Sequence, residues 1–201
     1  FLLLLFYYKY AMRSIVLKYF GGFSPFLLLL FKSVYLIQGR EDFSAYFLEK
    51  KVDFLFTVKD SIVKLPNTEY QELHKGKFVC VVPKSYECSG KKAITFQDLA
   101  HRNLILLHPS DCPNEMLEME KKIISQCPLS PVLYSDNQLS GCTMAKCGVG
   151  IAIMPDFICI LDPELCIIPL ETDDFVPYGV VWNKKDRRKE TYDLLMTSKE
   201  V

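Results

Sequence analysis

Five short segments, each following an apolar run, carry the side chains with the greatest chemical reach. They are Phe6-Tyr7-Tyr8-Lys9, Gln38-Gly39-Arg40, Thr57-Val58, His108-Pro109-Ser110 and Tyr134-Ser135-Asp136-Asn137. Where parallel strands end, helix N-termini offer unpaired N–H groups and the positive end of a dipole, so such loops hold small polar or anionic ligands. Gly39 allows close backbone approach, and Arg40 can grip a carboxylate through two parallel hydrogen bonds. Tyr7, Tyr8, Gly39, Arg40, Thr57, His108, Pro109, Ser110 and Asn137 form the candidate ligand-binding set. Four of them also have a plain structural role open to them. Arg40 fits a solvated first helical turn, His108 fits a helix cap, and Tyr7 and Tyr8 fit a core with one ring reaching the ligand.

This is binding chemistry rather than catalysis. The histidines number three (His74, His101, His108), and neither Gly-x-Ser-x-Gly nor His-Glu-x-x-His occurs. With no carboxylate pair at a defined spacing, the expectation is that the chain is not an enzyme. Cys142 and Cys147 have no matching His or Cys pair, and Cys-x-x-Cys is absent, so no metal and no cofactor are expected. Gly148-Val149-Gly150 follows a helical pattern and enters a strand, the reverse of a dinucleotide loop.

The elements that must hold these loops read from the apolar period. Residues 1–6 and 26–31 are continuous apolar runs closed by Lys9 and Lys32, read as strands buried on both faces, the second within a strand region at 25–37. Met12, Ile15, Val16 and Tyr19 recur at helical spacing before Gly21-Gly22, and Phe43, Tyr46 and Phe47 mark a second helix before a strand at 50–58. This is β-α-β-α-β, which implies parallel pairing. Residues 70–83 are expected to form a pair of strands turning at Lys75-Gly76-Lys77. A short helix at 94–100 capped by Thr95, a strand at 103–109 and a helix at 114–126 follow. Met116, Met119 and Ile123 share a face of that helix, and Glu118 is spaced to pair with Lys122. "VLYSD" is a strand, 137–147 a helix with Gly148 as its left-handed cap, and "VGIAIMP" a buried strand. Strands at 165–170 and 178–182 and a charged terminal helix complete the chain. No linker separates the two β-α-β series, so they are expected as packed lobes.

The 201 residues carry 24 basic and 24 acidic side chains, so the net charge is zero. A domain gripping nucleic acid through phosphates is normally basic, which argues against DNA contact by this chain. Its uninterrupted apolar runs are far shorter than the roughly 20 residues that span a bilayer, so no membrane partner is expected. Eight cysteines (80, 88, 112, 127, 142, 147, 159, 166) lie partly in apolar runs such as "FVCVVP" and "FICIL". There cysteine acts as a small hydrophobe, and reduced thiols in a cytoplasmic protein are expected. A chain opening on Phe1 is expected to be preceded by something.

Four stretches carry a family resemblance: "LEKKVDFLFTV" (48–58), "YQELHKGKFVCVVPKSY" (70–86), "AITFQDLAHRNLILL" (93–107) and "AKCGVGIAIMPDF" (145–157). In order and spacing they resemble the effector-binding (substrate-binding) domain of LysR-type transcriptional regulators, and "YGVVWNKK" fits the family's return strand. The resemblance implies an α/β fold of two Rossmann-like lobes joined by two crossover strands, like a type 2 periplasmic binding protein. Lobe one would be residues 1–82 plus 177–201, and lobe two residues 83–176. A small-molecule effector would sit in the interlobe cleft. Homodimers or homotetramers would form through faces resembled by residues 26–31, 10–20 and 114–126. DNA would be met only through a winged helix-turn-helix before Phe1.

The loop after the first strand departs from the family, which often places Ser or Thr there; here it is Phe6, Tyr7 and Tyr8. That departure weakens the expectation of a carboxylate and leaves open an aromatic or apolar ligand, a narrowed pocket or no ligand; the expected partner is a small-molecule effector, aromatic or carboxylate. Two alternative functions remain: the solute receptor of a transporter, which shares the fold, and a redox-sensing regulator. Cys112 is similar in position to the peroxidatic cysteine of the family's peroxide-sensing branch, although Lys121 and Lys122 occupy the region of that branch's partner thiol.

Overall fold

The computed structural model describes residues 34–36, 54–59, 67–110, 112–159 and 162–186. The expected strand at 1–6, the helices near 10–20 and 43–47 and the terminal helix lie outside them. Two compact units make up the chain. One comprises residues 1–37, 42–74 and 177–201, and the other residues 38–41 and 75–176.

In the first unit, β1 (Val34–Leu36) runs parallel to β2 (Phe54–Val58), and β2 pairs antiparallel with β8 (Phe175–Asn183) from Phe54↔Trp182 to Val58↔Tyr178. A strand with neighbours on both sides and both faces covered needs apolar side chains throughout. "FLFTV" is accordingly buried at all five positions. Across from Thr57 stands Gly179, where a Cβ would meet the Gln71 carbonyl oxygen at 2.1 Å.

The second unit is a five-stranded sheet ordered β7-β3-β6-β4-β5. Its strands are the part of β3 (Thr68–Pro83) from Lys75 onward, β4 (Leu104–Leu107), β5 (Val132–Ser135), β6 (Ile151–Pro155) and β7 (Leu165–Pro169). β4 runs parallel to both β5 and β6, as the β-α-β pattern predicts, whereas β3 is antiparallel to β6 and β7. Leu104, Ile105 and Leu106 of the central strand are buried. Helices α1 (Phe96–Leu99), α2 (Asn114–Gln126) and α3 (Gln138–Lys146) complete the unit. Cys142 and Ala145 of α3 pack into a cluster with Val79, Val81, Ile105 and Ala152.

Two local expectations are corrected. Residues 70–83 are not a pair of strands, because β3 continues unbroken from Thr68 to Pro83. Glycine stands at position 76 for space rather than for a turn, since a Cβ there would lie 2.3 Å from a ring carbon of Phe157. Glu118 pairs with Lys121, not Lys122. Lys122 instead reaches Asp174 and lies 5.7 Å over the Phe96 ring.

Other local readings hold. Thr95 caps α1 in a closed capping box, in which the Asp98 N–H donates to Thr95 Oγ1 at 3.3 Å and the Thr95 N–H donates to Asp98 Oδ2 at 3.0 Å. Gly148 ends α3 at φ +73°.

Candidate functional site

The loops of the second unit open from the carboxyl ends of β4 and β5. These strands are in register from Leu104↔Val132 to Leu107↔Ser135, so His108 and Asp136 emerge side by side. The His108 N–H donates to the Ser135 carbonyl at 2.9 Å and extends the ladder by one bond. Pro109 then ends the strand.

His108 and Ser110 form a closed local unit. The Ser110 N–H donates to His108 Nδ1 at 3.3 Å, and Ser110 Oγ stands 2.7 Å from the same nitrogen. Because Nδ1 accepts a backbone N–H, the ring proton belongs on Nε2. The Tyr134 ring meets His108 edge-on, with centroids 5.7 Å apart and planes at 71°. His108, Tyr134 and Ser110 are all exposed. The cluster therefore presents an N–H donor, a hydroxyl and an aromatic face to solvent.

Asn137 is committed locally: its Oδ1 accepts the Ser140 N–H at 2.9 Å and caps α3. The N-terminus of α3 thus lies next in the chain to this cluster. Beneath it, Ile105, Met116, Ser135, Gln138, Gly141 and Met154 line a cavity of about 10 Å³. That is room for about one water molecule. Ser135 Oγ is turned away to donate to the Leu106 carbonyl at 3.2 Å.

Of the nine candidates, the structure brings His108, Pro109, Ser110 and Asn137 together in this unit. Thr57 is fully enclosed on β2 in the other unit, and its Oγ1 meets no hydrogen-bond partner among the described residues. Tyr7, Tyr8, Gly39 and Arg40 lie outside the described residues. Among the described residues no group of His, Cys, Asp or Glu could hold a metal ion. No helix among them is long and apolar enough to cross a membrane.

One residue near the site went unread in the sequence. Glu120 is buried on α2 beside Met116, Met119 and Ile123. Its carboxyl accepts the Leu107 N–H at 3.2 Å and lies 3.6 Å from Cys112 Sγ. The signal was available: positions 116, 119, 120 and 123 form one apolar stripe by helical spacing, with an acid inside it.

Parallel strands with polar and aromatic loops at their carboxyl ends are the arrangement at which α/β sheets hold small ligands. The sequence profile of the LysR substrate binding domain matches residues 34–198, and the chain belongs to that family. Its fold is the two-lobe, periplasmic-binding-protein-like α/β fold of LysR effector-binding domains.

Among solved structures, the effector binding domain of BenM with its effector benzoate is 20% identical. It matches over 92% of this chain and 86% of its own, with a TM-score of 0.63. The reduced regulatory domain of OxyR from Pseudomonas aeruginosa is 17% identical, over 77% of this chain and 75% of its own, with a TM-score of 0.57. The LysR family transcriptional regulator CbnR is 14% identical with a TM-score of 0.62; the match covers 81% of this chain but only 56% of CbnR. No match is found among the curated proteins.

Proposed function

We propose that this chain is the effector-sensing regulatory domain of a LysR-type DNA-binding transcription regulator, acting in the cytoplasm. It binds a small metabolite at the carboxyl ends of its strands and assembles with further copies of itself. DNA is engaged only through a winged helix-turn-helix outside this chain. The observation that carries the reading is the family match over residues 34–198. The exposed His108, Ser110 and Tyr134 beside the N-terminus of α3 support it, because their donors and ring suit a ligand with an acidic group and an aromatic body. Effector binding then favours one packing of the assembly over another and so biases the DNA-binding parts.

Cys112 fits a peroxide sensor poorly. A peroxide-reactive thiol must be reached from solvent, and Cys112 is fully enclosed.

Thermal unfolding with benzoate, other aromatic acids, amino acids and short carboxylates tests the proposal. A ligand at 100 times its Kd adds about 2.7 kcal/mol of apparent stability. A shift that disappears in Arg40→Ala and in His108→Ala supports the sensor. If no compound of the panel shifts the transition, the sensing function is wrong and an oligomerisation module remains.

A further inference from the structure

Glu120 is the one acidic side chain buried among the described residues, at 6% exposure. The bonds it makes are placed with respect to one turn. Successive backbone N–H groups of a strand point to opposite sides. The His108 N–H goes to Ser135 of β5, so the Leu107 N–H faces the β6 side. There the β4–β6 register ends at Ile105↔Ala152. Glu120 Oε1 takes the Leu107 N–H in place of a ladder partner and lies within reach of the Cys112 S–H. His108 and Ser110 lie between these two anchors.

We propose that Glu120 is a positioning residue: its buried carboxyl fastens Leu107 and Cys112 on either side of the turn at 109–110, fixes His108 and Ser110 between them, and releases this turn on ionisation. This rests on the reading above that the turn contacts the effector. The linkage follows from the surroundings. Burial pushes the carboxyl from its ordinary 4.5 up to about 7, outweighing the hydrogen bonds from Cys112 and Leu107, which act the other way. From β4 it faces the Leu107 backbone, and from the turn the Cys112 thiol. On α2 its companions are Met116, Met119 and Ile123. Among the described residues Cys112 is the one titratable group acting on it. The fastened turn therefore holds the proton more tightly than an opened turn with a solvated carboxyl, and rising pH favours opening.

Hydrogen exchange in the 201-residue chain tests this, read at the Leu107, His108 and Ser110 amides near pH 5 and pH 7.5 and corrected for intrinsic rates. Val79 and Val81 of β3 serve as the reference for opening of the whole unit. In the wild type, protection of the turn should fall at least about tenfold at the higher pH while staying below that of the reference, whose own fall follows from release of the same proton on opening of the whole unit. Glu120→Gln keeps an acceptor without a titration and should hold the turn at both pH values. Glu120→Leu, lacking the acceptor, should show the low protection throughout. A wild-type turn insensitive to pH, or an equal response in Glu120→Gln, overturns the proposal. Benzoate titration separates the two readings. If benzoate binds, its affinity should fall with pH in the wild type and not in Glu120→Gln; an equal fall in both shows that Glu120 does not position the ligand contacts. If benzoate does not bind, the functional reading loses that probe while the exchange result still decides the role of Glu120 in the turn.

Discussion

Gly150 lies so close to Asn103 that a Cβ on it would stand 2.4 Å from the Asn103 carbonyl oxygen. That carbonyl accepts the Ile151 N–H at 2.8 Å, and the Asn103 carboxamide donates to the Val149 carbonyl at 2.9 Å. The starts of β4 and β6 are thereby stitched together. The obstacle is backbone, so no side chain can swing aside. Gly150→Ala should cost about 2–3 kcal/mol, the upper range for overpacking. Gly148→Ala meets open space and only a strained φ of +73°, for about 1–2 kcal/mol. Urea midpoints of the two variants check this order, and a Gly150→Ala protein as stable as the wild type would refute the close approach.

Gly76 and Phe157 make a complementary pair in which the obstacle is a side chain. A Cβ at Gly76 would lie 2.3 Å from the Phe157 ring. Gly76→Ala should destabilise by about 1–3 kcal/mol. Phe157→Leu alone should also cost stability, since the ring is buried. In the double variant the two costs should fall short of their sum, because the smaller side chain vacates the space that the new methyl needs. A double-mutant cycle with a coupling energy near zero would show that the two positions do not compete.

The same pair shows where the sequence was misleading. Lys75-Gly76-Lys77 has the composition of a turn, and composition carries no information about a ring brought in from position 157. Central strands were legible, because "LILL" and "GIAIMP" are apolar without alternation, as strands flanked on both sides and covered on both faces require. The Thr95 and Gly148 caps were legible because each acts within four residues of its partner. Lys122 was assigned to Glu118 by local spacing, whereas tertiary structure gives it Asp174, 52 residues away. In the candidate site, His108 and Ser110 stand out in the sequence from their place after a strand. Asn137 was found for its position, but its side chain is spent on Ser140. Glu120 was missed because a charge inside an apolar stripe signals only that a partner exists, and its partners are a backbone N–H and a thiol.

The capping box at α1 should give stability a dependence on acid. Asp98 is held at about 2, chiefly by its hydrogen bond from Lys91 and then by the Thr95 N–H. A carboxyl whose folded value is depressed stabilises the fold above its unfolded value and loses that contribution as pH falls toward 2. Asp98→Asn should therefore be less stable than wild type near pH 7, by about 1 kcal/mol on the scale of caps. The gap should close as the medium is acidified from about pH 4 to pH 2. Thr95→Ala removes the other half of the box at a similar cost, without that pH dependence. Denaturation of the three proteins across this range is the check; a gap that widens in acid would mean that Asp98 stabilises through something other than its charge.

Glu120 should produce the opposite dependence. Its carboxyl is raised from 4.5 to about 7 by burial, so the folded chain binds a proton that the unfolded chain has released between these values. Stability from this group is complete below pH 4.5 and declines as pH rises through 7. At 1.36 kcal/mol for each pH unit, the full effect is about 3 kcal/mol as an upper bound. Glu120→Gln removes the ionisation while keeping an oxygen for the Leu107 N–H. It should be close to wild type near pH 4.5 and more stable than wild type near pH 8. The comparison is made by urea unfolding at both pH values. A Glu120→Gln protein that is less stable than wild type at the alkaline end would show that the buried carboxylate is held by a charge partner, and the desolvated, proton-binding carboxyl described here would be wrong.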